Sequence, residues 1–264
     1  MMRYMALAVV VVLFALLPLP IVIVAISSLT QTGYFTVPLP DFSLHWYAEF
    51  FTSAIWIRLL FVSAGIAILV ALVSTCLAMM AAMVIHRYRF TGSSAFEALI
   101  MLPLVFPNAA LGVAFLGLLS LLGVSGSYLG IGLAHCLITL PFAYRPILNS
   151  LRKLDPALIE AGQSLGATPA HVLRTVTLPI IRPGLITAFI FCFIVSFDEA
   201  TVTIFLIGPQ ATTLPIRILT EIQESASPVI AAISTFLVVI TLAIILVLER
   251  TVGLELFAEP EKQN

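Results

Sequence analysis

The run LLFVSAGIAILVALVSTCLAMMAAMVI, Leu59 to Ile85, holds no charged residue anywhere along its length. The hydrocarbon core of a bilayer is about 30 Å thick, and a helix crosses it with about 20 apolar residues. A strand of a membrane barrel would instead give segments of roughly ten residues with alternating character. Only helices and closed barrels satisfy their backbone groups in lipid, so this run reads as a spanning helix and the chain as a helical bundle. Five further runs lie outward from it, at about 5–28, 96–122, 128–148, 183–207 and 229–248. A short Gly/Ser turn, Gly123 to Ser127, divides the third span from the fourth. The run at 5–28 exceeds the apolar core of a cleaved signal peptide, about 7–15 residues, and reads as an uncleaved span despite a cleavage-like Ala25-Ile26-Ser27. The expectation is an all-α polytopic membrane protein with about six transmembrane helices, forming one domain over residues 1–264.

Composition agrees with that reading. Only 9% of the residues are charged, whereas a soluble domain carries roughly 25% and needs them for its surface. The balance of 12 Lys+Arg against 13 Asp+Glu offers no clustered positive charge for nucleic acid. The placement of the bases sets a topology. Arg3, Arg87, Arg89, Arg145, Arg152, Lys153, Arg174, Arg182, Arg250 and Lys262 fall on one side of the membrane; only Arg58 and Arg217 fall on the other. By the positive-inside rule both termini, the 86–95 loop and the long loop at about 149–182 are cytoplasmic. Trp46 and Trp56, in the first outer loop, read as interfacial anchors.

Enzymatic chemistry finds little support. Cys76, Cys136 and Cys192 lie one to a span, with neither metal nor disulfide spacing, and read as small core residues. The four histidines are scattered, and His135, inside the fourth span, reads as a hydrogen-bonded packing residue. Lys153 and Lys262 follow Arg and Glu, so no phosphate-cradling Gly-Lys-Ser/Thr exists. There is no Gly-x-Ser-x-Gly elbow and no zinc signature, so no catalytic residue, metal site or cofactor is expected. Driven work would draw on an ion gradient or on another polypeptide.

The segment Asp155 to Gly184 carries more information. Asp155-Pro156 is a helix start, an N-cap acceptor followed by Pro at the first helical position. That helix stops at Gly166, a residue suited to a C-terminal cap. Thr168-Pro169 repeats the start and opens a second helix through about Thr175; Leu178-Pro179 and Arg182-Pro183-Gly184 then read as breaks before the next span. The residues Glu160-Ala161-Gly162, then Gly166, then Val176-Thr177-Leu178-Pro179 resemble the "EAA" loop of permease subunits in binding-protein-dependent (type I) ABC importers. Every spacing of that pattern is kept, with Gly162 replacing the second Ala and Val176 replacing Ile. The resemblance implies a coupling helix docking on an ATPase subunit, with Glu160, Ala161, Gly162, Gly166, Leu178 and Pro179 as the ATPase-coupling residues. It implies as partners a homologous permease, two ATPase subunits, a periplasmic solute-binding protein and a small-molecule solute, in a bacterial inner membrane.

Leu102-Pro103-Leu104-Val105-Phe106-Pro107, Ser196-Phe197-Asp198-Glu199, Gly208-Pro209 and Thr213-Leu214-Pro215 are similar to the spermidine/putrescine subgroup, specifically its second permease subunit. Relatives often carry an acid after the Pro of the third span; here the residue is Asn108. Asp198 and Glu199 lie about 15 residues into the fifth run, about 22 Å along a helix. An unpaired carboxylate at mid-membrane costs on the order of 3 kcal/mol, so neither should face lipid. They read as lining a translocation path for a polycation, or else as holding helices together, for instance through Arg217. Asn108, Phe106 and Phe197 are further path candidates, and Pro103 and Pro107 would free carbonyls beside such a path. Glu97 reads as interfacial. The leading expectation is the permease subunit of an ATP-driven importer of polyamines. The alternatives are a permease for another small organic solute, such as an opine or aminophosphonate, or an ion-coupled secondary transporter.

Overall fold

A computed structural model describes residues 16–36, 38, 41–88, 91–225 and 227–252, with isolated positions 4, 7, 10 and 14. Arg3, Arg89, Lys262 and much of the first apolar run therefore lie outside the described residues. Among the described residues the chain is helical without named strands: α1 Leu19–Ser28, α2 His45–Thr52, α3 Ala54–Arg87, α4 Ser93–Met101, α5 Asn108–Leu121, α6 Tyr128–Arg152, α7 Pro156–Ser164, α8 Pro169–Val172, α9 Leu178–Asp198, α10 Leu214–Glu224 and α11 Val229–Val252. Four helices are long and apolar enough to cross a membrane, or five if the bent α4–α5 pair is one span. Of the remaining expected span, the described residues include the ten-residue α1.

Two of the apolar runs fold differently from an unbroken helix. The third bends by 104° between α4 and α5. Pro107 is extended, with φ −59° and ψ 132°, and a proline disfavours helical backbone in the residue before it. The fifth run stops being a spanning helix at Asp198, because Glu199 turns to φ −72° and ψ 108°. Conversely, no break separates the loop from α9. A π-helical turn, Leu173–Thr177, carries α8 directly into it. Pro179 causes no break: it stands in the first turn of α9, just past the π-helical turn, and the helix runs on through it.

The chain forms two compact units, Met1–Leu60 with Arg217–Ala243, and Phe61–Ile216 with Ile244–Asn264. In the first unit, Phe236 packs its ring against Phe50 and Phe51, at 5.4 and 5.3 Å between centroids. The Trp46 indole donates to the Thr30 carbonyl at 3.0 Å. Trp56 is buried, with the Arg217 guanidinium 5.8 Å from its ring, so it is a packing residue rather than an interfacial anchor. Arg217 also pairs with Glu221 at 2.6 Å, one helical turn on.

The second unit is organised around α6 and α9. Their shared core contains Ala143, Tyr144, Ile147, Leu151, Ile181, Ala188 and Cys192, against which α3 sets Ala71, Ala78 and Ala82. Small residues let helix backbones approach where lipid removes the usual hydrophobic drive to associate. At Gly184 the approach is closest: a Cβ there would collide with the Ser150 side chain and the Pro146 carbonyl. The opposite face of α3 exposes Phe61, Ile68, Leu69, Leu72, Leu77, Met80 and Val84, an apolar stripe that suits lipid.

Candidate functional site

The loop joining α6 to α9 is built as its sequence predicts at both caps. The Asp155 carboxylate accepts from the Ala157 N–H at 2.9 Å, and Pro156 opens α7. At the other end Gly166 takes φ +82°, a left-handed conformation that glycine adopts without steric cost. Its N–H donates to the Gln163 carbonyl, and that of Ala167 donates to the Gly162 carbonyl, at 2.9 and 3.1 Å. Those two bonds form a Schellman closure. Thr168 caps α8 by accepting from the His171 N–H at 3.3 Å.

The α7 helix has no buried residue; Glu160 and Ala161 are exposed, and Leu158 and Leu165 present apolar surface. Gly162 faces Val172 of α8, and a Cβ there would sit 3.2 Å from the valine Cγ2. That contact is a local reason for glycine where the related pattern carries alanine. A groove of about 670 Å³ runs between this loop and the end of α3, lined by His86, Arg87, Ile159, Glu160, Gln163 and Leu173 among others. Leu178 and Pro179 stand in the first turn of α9.

Asp198 and Glu199 lie at the far end of α9, about 29 Å from Pro179 at a rise of about 1.5 Å per residue. Their environments differ sharply. Asp198 is exposed, whereas Glu199 is 9% exposed. One Glu199 oxygen accepts from the Val202 N–H at 2.7 Å; the other accepts from the Asn108 amide at 3.5 Å. The carboxylate thus closes its own turn and reaches the first residue of α5. Local side-chain bonds of this kind compete with continued helix, which is why α9 stops here. Phe197 stacks on Phe193, with centroids 5.7 Å apart, and Phe106 is exposed at the α4–α5 break. Asn108 and Glu199 are therefore brought together, with Asp198 adjacent. Arg217 finds its partner in Glu221.

A polar network that sequence patterns do not reveal lies behind this turn. His135 of α6 is 1% exposed, with Nδ1 2.9 Å from the Ser196 hydroxyl and Nε2 2.8 Å from that of Thr203. Thr203 donates its one hydroxyl hydrogen to the Glu199 carbonyl at 2.7 Å. It must therefore accept from His135, which places the proton on Nε2 and leaves Nδ1 to accept from Ser196. One turn along α6, Thr139 donates to the His135 carbonyl and meets Ser74 of α3, each at 2.8 Å. A lone histidine in an apolar span was the only sequence signal for this network.

Sequence reasoning also passed over a cavity of about 400 Å³ lined by Leu104, Phe142, Arg145, Asn149, Thr187 and Phe191. Among the described residues no three His, Cys, Asp or Glu side chains converge on a metal site.

Comparison with known proteins places this architecture. The family described as "Binding-protein-dependent transport system inner membrane component" matches residues 74–254. The chain is 28% identical over 234 residues to the spermidine/putrescine transport system permease protein PotC of Haemophilus influenzae, covering 89% of this chain and 91% of that one. It is 32% identical over 231 residues to the putrescine transport system permease protein PotI of Escherichia coli K12, covering 85% and 82%. A crystal structure of a bacterial ABC transporter involved in import of the acidic polysaccharide alginate superposes with a TM-score of 0.74. The superposition covers 95% of this chain and 94% of that one at 18% identity, a likeness of fold.

Proposed function

This chain belongs to the family of binding-protein-dependent transport system inner membrane components, and from that membership we propose that it forms half of the translocation path of an ATP-driven polyamine importer. The observation that carries the transport reading is α7, an exposed helix capped at both ends and joined at each end to a long apolar helix. Such a helix offers a partner a rigid surface and passes a push on to α6 and α9. Glu160, Ala161, Gly162, Gly166, Leu178 and Pro179 form that coupling end. The ATPase subunits hydrolyse ATP, and this chain supplies no nucleotide site of its own. A homologous permease completes the path, and a periplasmic binding protein delivers the solute. On this reading the α7 loop and both termini face the cytoplasm.

The substrate class rests on the similarity to spermidine and putrescine permeases over most of the chain, and on Asp198. An exposed carboxylate at the end of an apolar helix is a natural partner for an alkylammonium group. Asn108, Phe106 and Phe197 are the further path residues on this reading, and Glu199, which also accepts from Asn108, holds the turn. Asn108, neutral where related permeases often carry an acid, favours a different small organic solute as the second reading.

The test is ATP-dependent putrescine uptake in proteoliposomes containing this chain, its partner permease and the ATPase subunits, with binding protein inside the assay. Omitting the ATPase should abolish uptake. Uptake by this chain alone under an ion gradient would overturn the proposal, and competition by an opine or aminophosphonate but not by spermidine would move the substrate.

A further inference from the structure

The network around His135 joins α6 to the end of α9 and to the turn beyond it, past the core that the two helices share. Asp198 ends α9, and the turn after it is held by Glu199, Val202 and Thr203. That turn is a short 3₁₀ segment, Thr203–Phe205, between non-helical residues; Val202 and Leu206 pack it into an apolar cluster with Leu119, Ile131, Ala134 and Ile138, and apolar packing alone leaves its polar groups without an orientation. His135 reaches it from α6. One ring nitrogen bonds Ser196, two residues before Asp198; the other bonds Thr203, five residues after it. The imidazole therefore spans the point where α9 ends and clamps both sides of it to one residue of α6. Both ring nitrogens and both hydroxyls are used, so the clamp has a single arrangement of donors and acceptors. In hydrocarbon the two hydroxyls have no water to replace it.

We propose that His135 is a positioning residue for the path: it locks the Ser196–Thr203 segment to α6, so that Asp198 keeps its exposure and moves with the helix that leads to the α7 loop. The proposal rests on the reading of Asp198 as a path residue. Through Glu199 the same clamp also holds Asn108, the first residue of α5. The seven residues of α6 that precede His135 and the seventeen that follow it to Arg152 make it a fulcrum near the end remote from the loop. A displacement of α7 is then delivered to Asp198 by side-chain bonds as well as by the α9 backbone.

The experiment compares wild type, His135→Leu, His135→Gln and Thr203→Val in the assembled importer in nanodiscs and proteoliposomes. Backbone hydrogen–deuterium exchange over residues 200–207 is read alongside the KM for putrescine uptake. His135→Leu should raise exchange in that segment about tenfold while α7 and the middle of α9 are unchanged. It should raise KM about fivefold or more. Glutamine, whose amide N–H can reach Thr203 in place of Nε2, should restore both. Thr203→Val, nearly isosteric and without the hydroxyl, should reproduce the leucine phenotype and add little to it in the double variant. It also serves if the leucine variant does not assemble. Unchanged exchange in both variants overturns the proposal, as does loosened exchange with an unaltered KM. A wild-type importer that takes up no putrescine sinks the polyamine reading instead, and the exchange measurement, which needs no substrate, then decides on the clamp.

Discussion

The two ends of α9 solve opposite problems. At the loop end, backbone groups are satisfied by short-range devices on an exposed surface: Asp155 and Thr168 as N-caps, Gly166 in a Schellman closure. At the far end, the chain is held by long-range bonds inside the membrane unit, from Asn108 and His135 to residues 61 to 91 positions away. Exposure at the first end leaves α7 free to meet another protein. Burial at the second fixes the frame of one exposed carboxylate. The lesson is that a surface meant for a partner can be capped cheaply in water, whereas an acid placed in an apolar unit needs the rest of the unit to hold its turn.

The largest effect expected from breaking this contrast is at the loop end. Glu160→Lys reverses an exposed charge on α7, so the chain's own stability should hold. Like-charge juxtaposition across an interface costs several kcal/mol, and ATP-dependent uptake should fall on the order of a hundredfold. Co-purification of the ATPase and uptake in proteoliposomes measure it; full activity would remove Glu160 from the interface. Next in size is Gly184→Ala, between the two ends. The added Cβ meets the Ser150 side chain and the Pro146 carbonyl. Overpacking of this kind costs about 1–3 kcal/mol. Thermal unfolding in detergent should show a lower midpoint for Gly184→Ala, and Ser150→Gly in the same chain should recover part of it.

The same contrast explains how much was legible in the sequence. Local devices leave local signals, and Asp155-Pro156, Gly166 and Thr168-Pro169 predicted the caps that form. Apolar runs gave α3, α6 and α11 within a few residues at most of their ends. Hydropathy could not see the 104° bend, because Val105 and Phe106 are apolar on either reading and the bend comes from backbone restriction at Pro107. It could not end α9 at Asp198 either, since residues 203–207, Thr-Ile-Phe-Leu-Ile, look like more span. What stops the helix is the Glu199 side chain bonding Val202, and the turn so formed is then tied to Asn108 and His135 from elsewhere in the chain, which no local pattern shows. Pro179 and Pro183 erred in the other direction, as apparent breaks that α9 accommodates.

At the far end the two acids should separate by assay. Asp198→Asn keeps shape and removes charge from an exposed group, so it should lower putrescine uptake about tenfold, equivalent to about 1.4 kcal/mol, and leave the unfolding midpoint unchanged. Glu199→Gln keeps an acceptor for Val202 but loses the charge-assisted bond, worth about 1.5–3 kcal/mol against about 1 for a neutral one. Its main effect should be a lower unfolding midpoint. If Glu199→Gln alone abolishes uptake while Asp198→Asn does nothing, the roles of the two acids are reversed.

The smallest effect sharpens the claim that the loop end is locally built. Asp155→Ala removes the acceptor for the Ala157 N–H at the start of α7. Losing such a cap costs about 1 kcal/mol. Because α7 buries no residue fully and touches the core through the half-buried Ile159, that cost should appear mainly as fraying of its first turn. Hydrogen exchange at residues 157–159 should therefore rise severalfold, while residues 200–207 stay as protected as in wild type. Asp155→Asn, which keeps an acceptor oxygen, should restore most of the protection. Equal loosening at both ends after Asp155→Ala would mean that the far turn draws its order from the loop, and that the bonds to His135 do not set it.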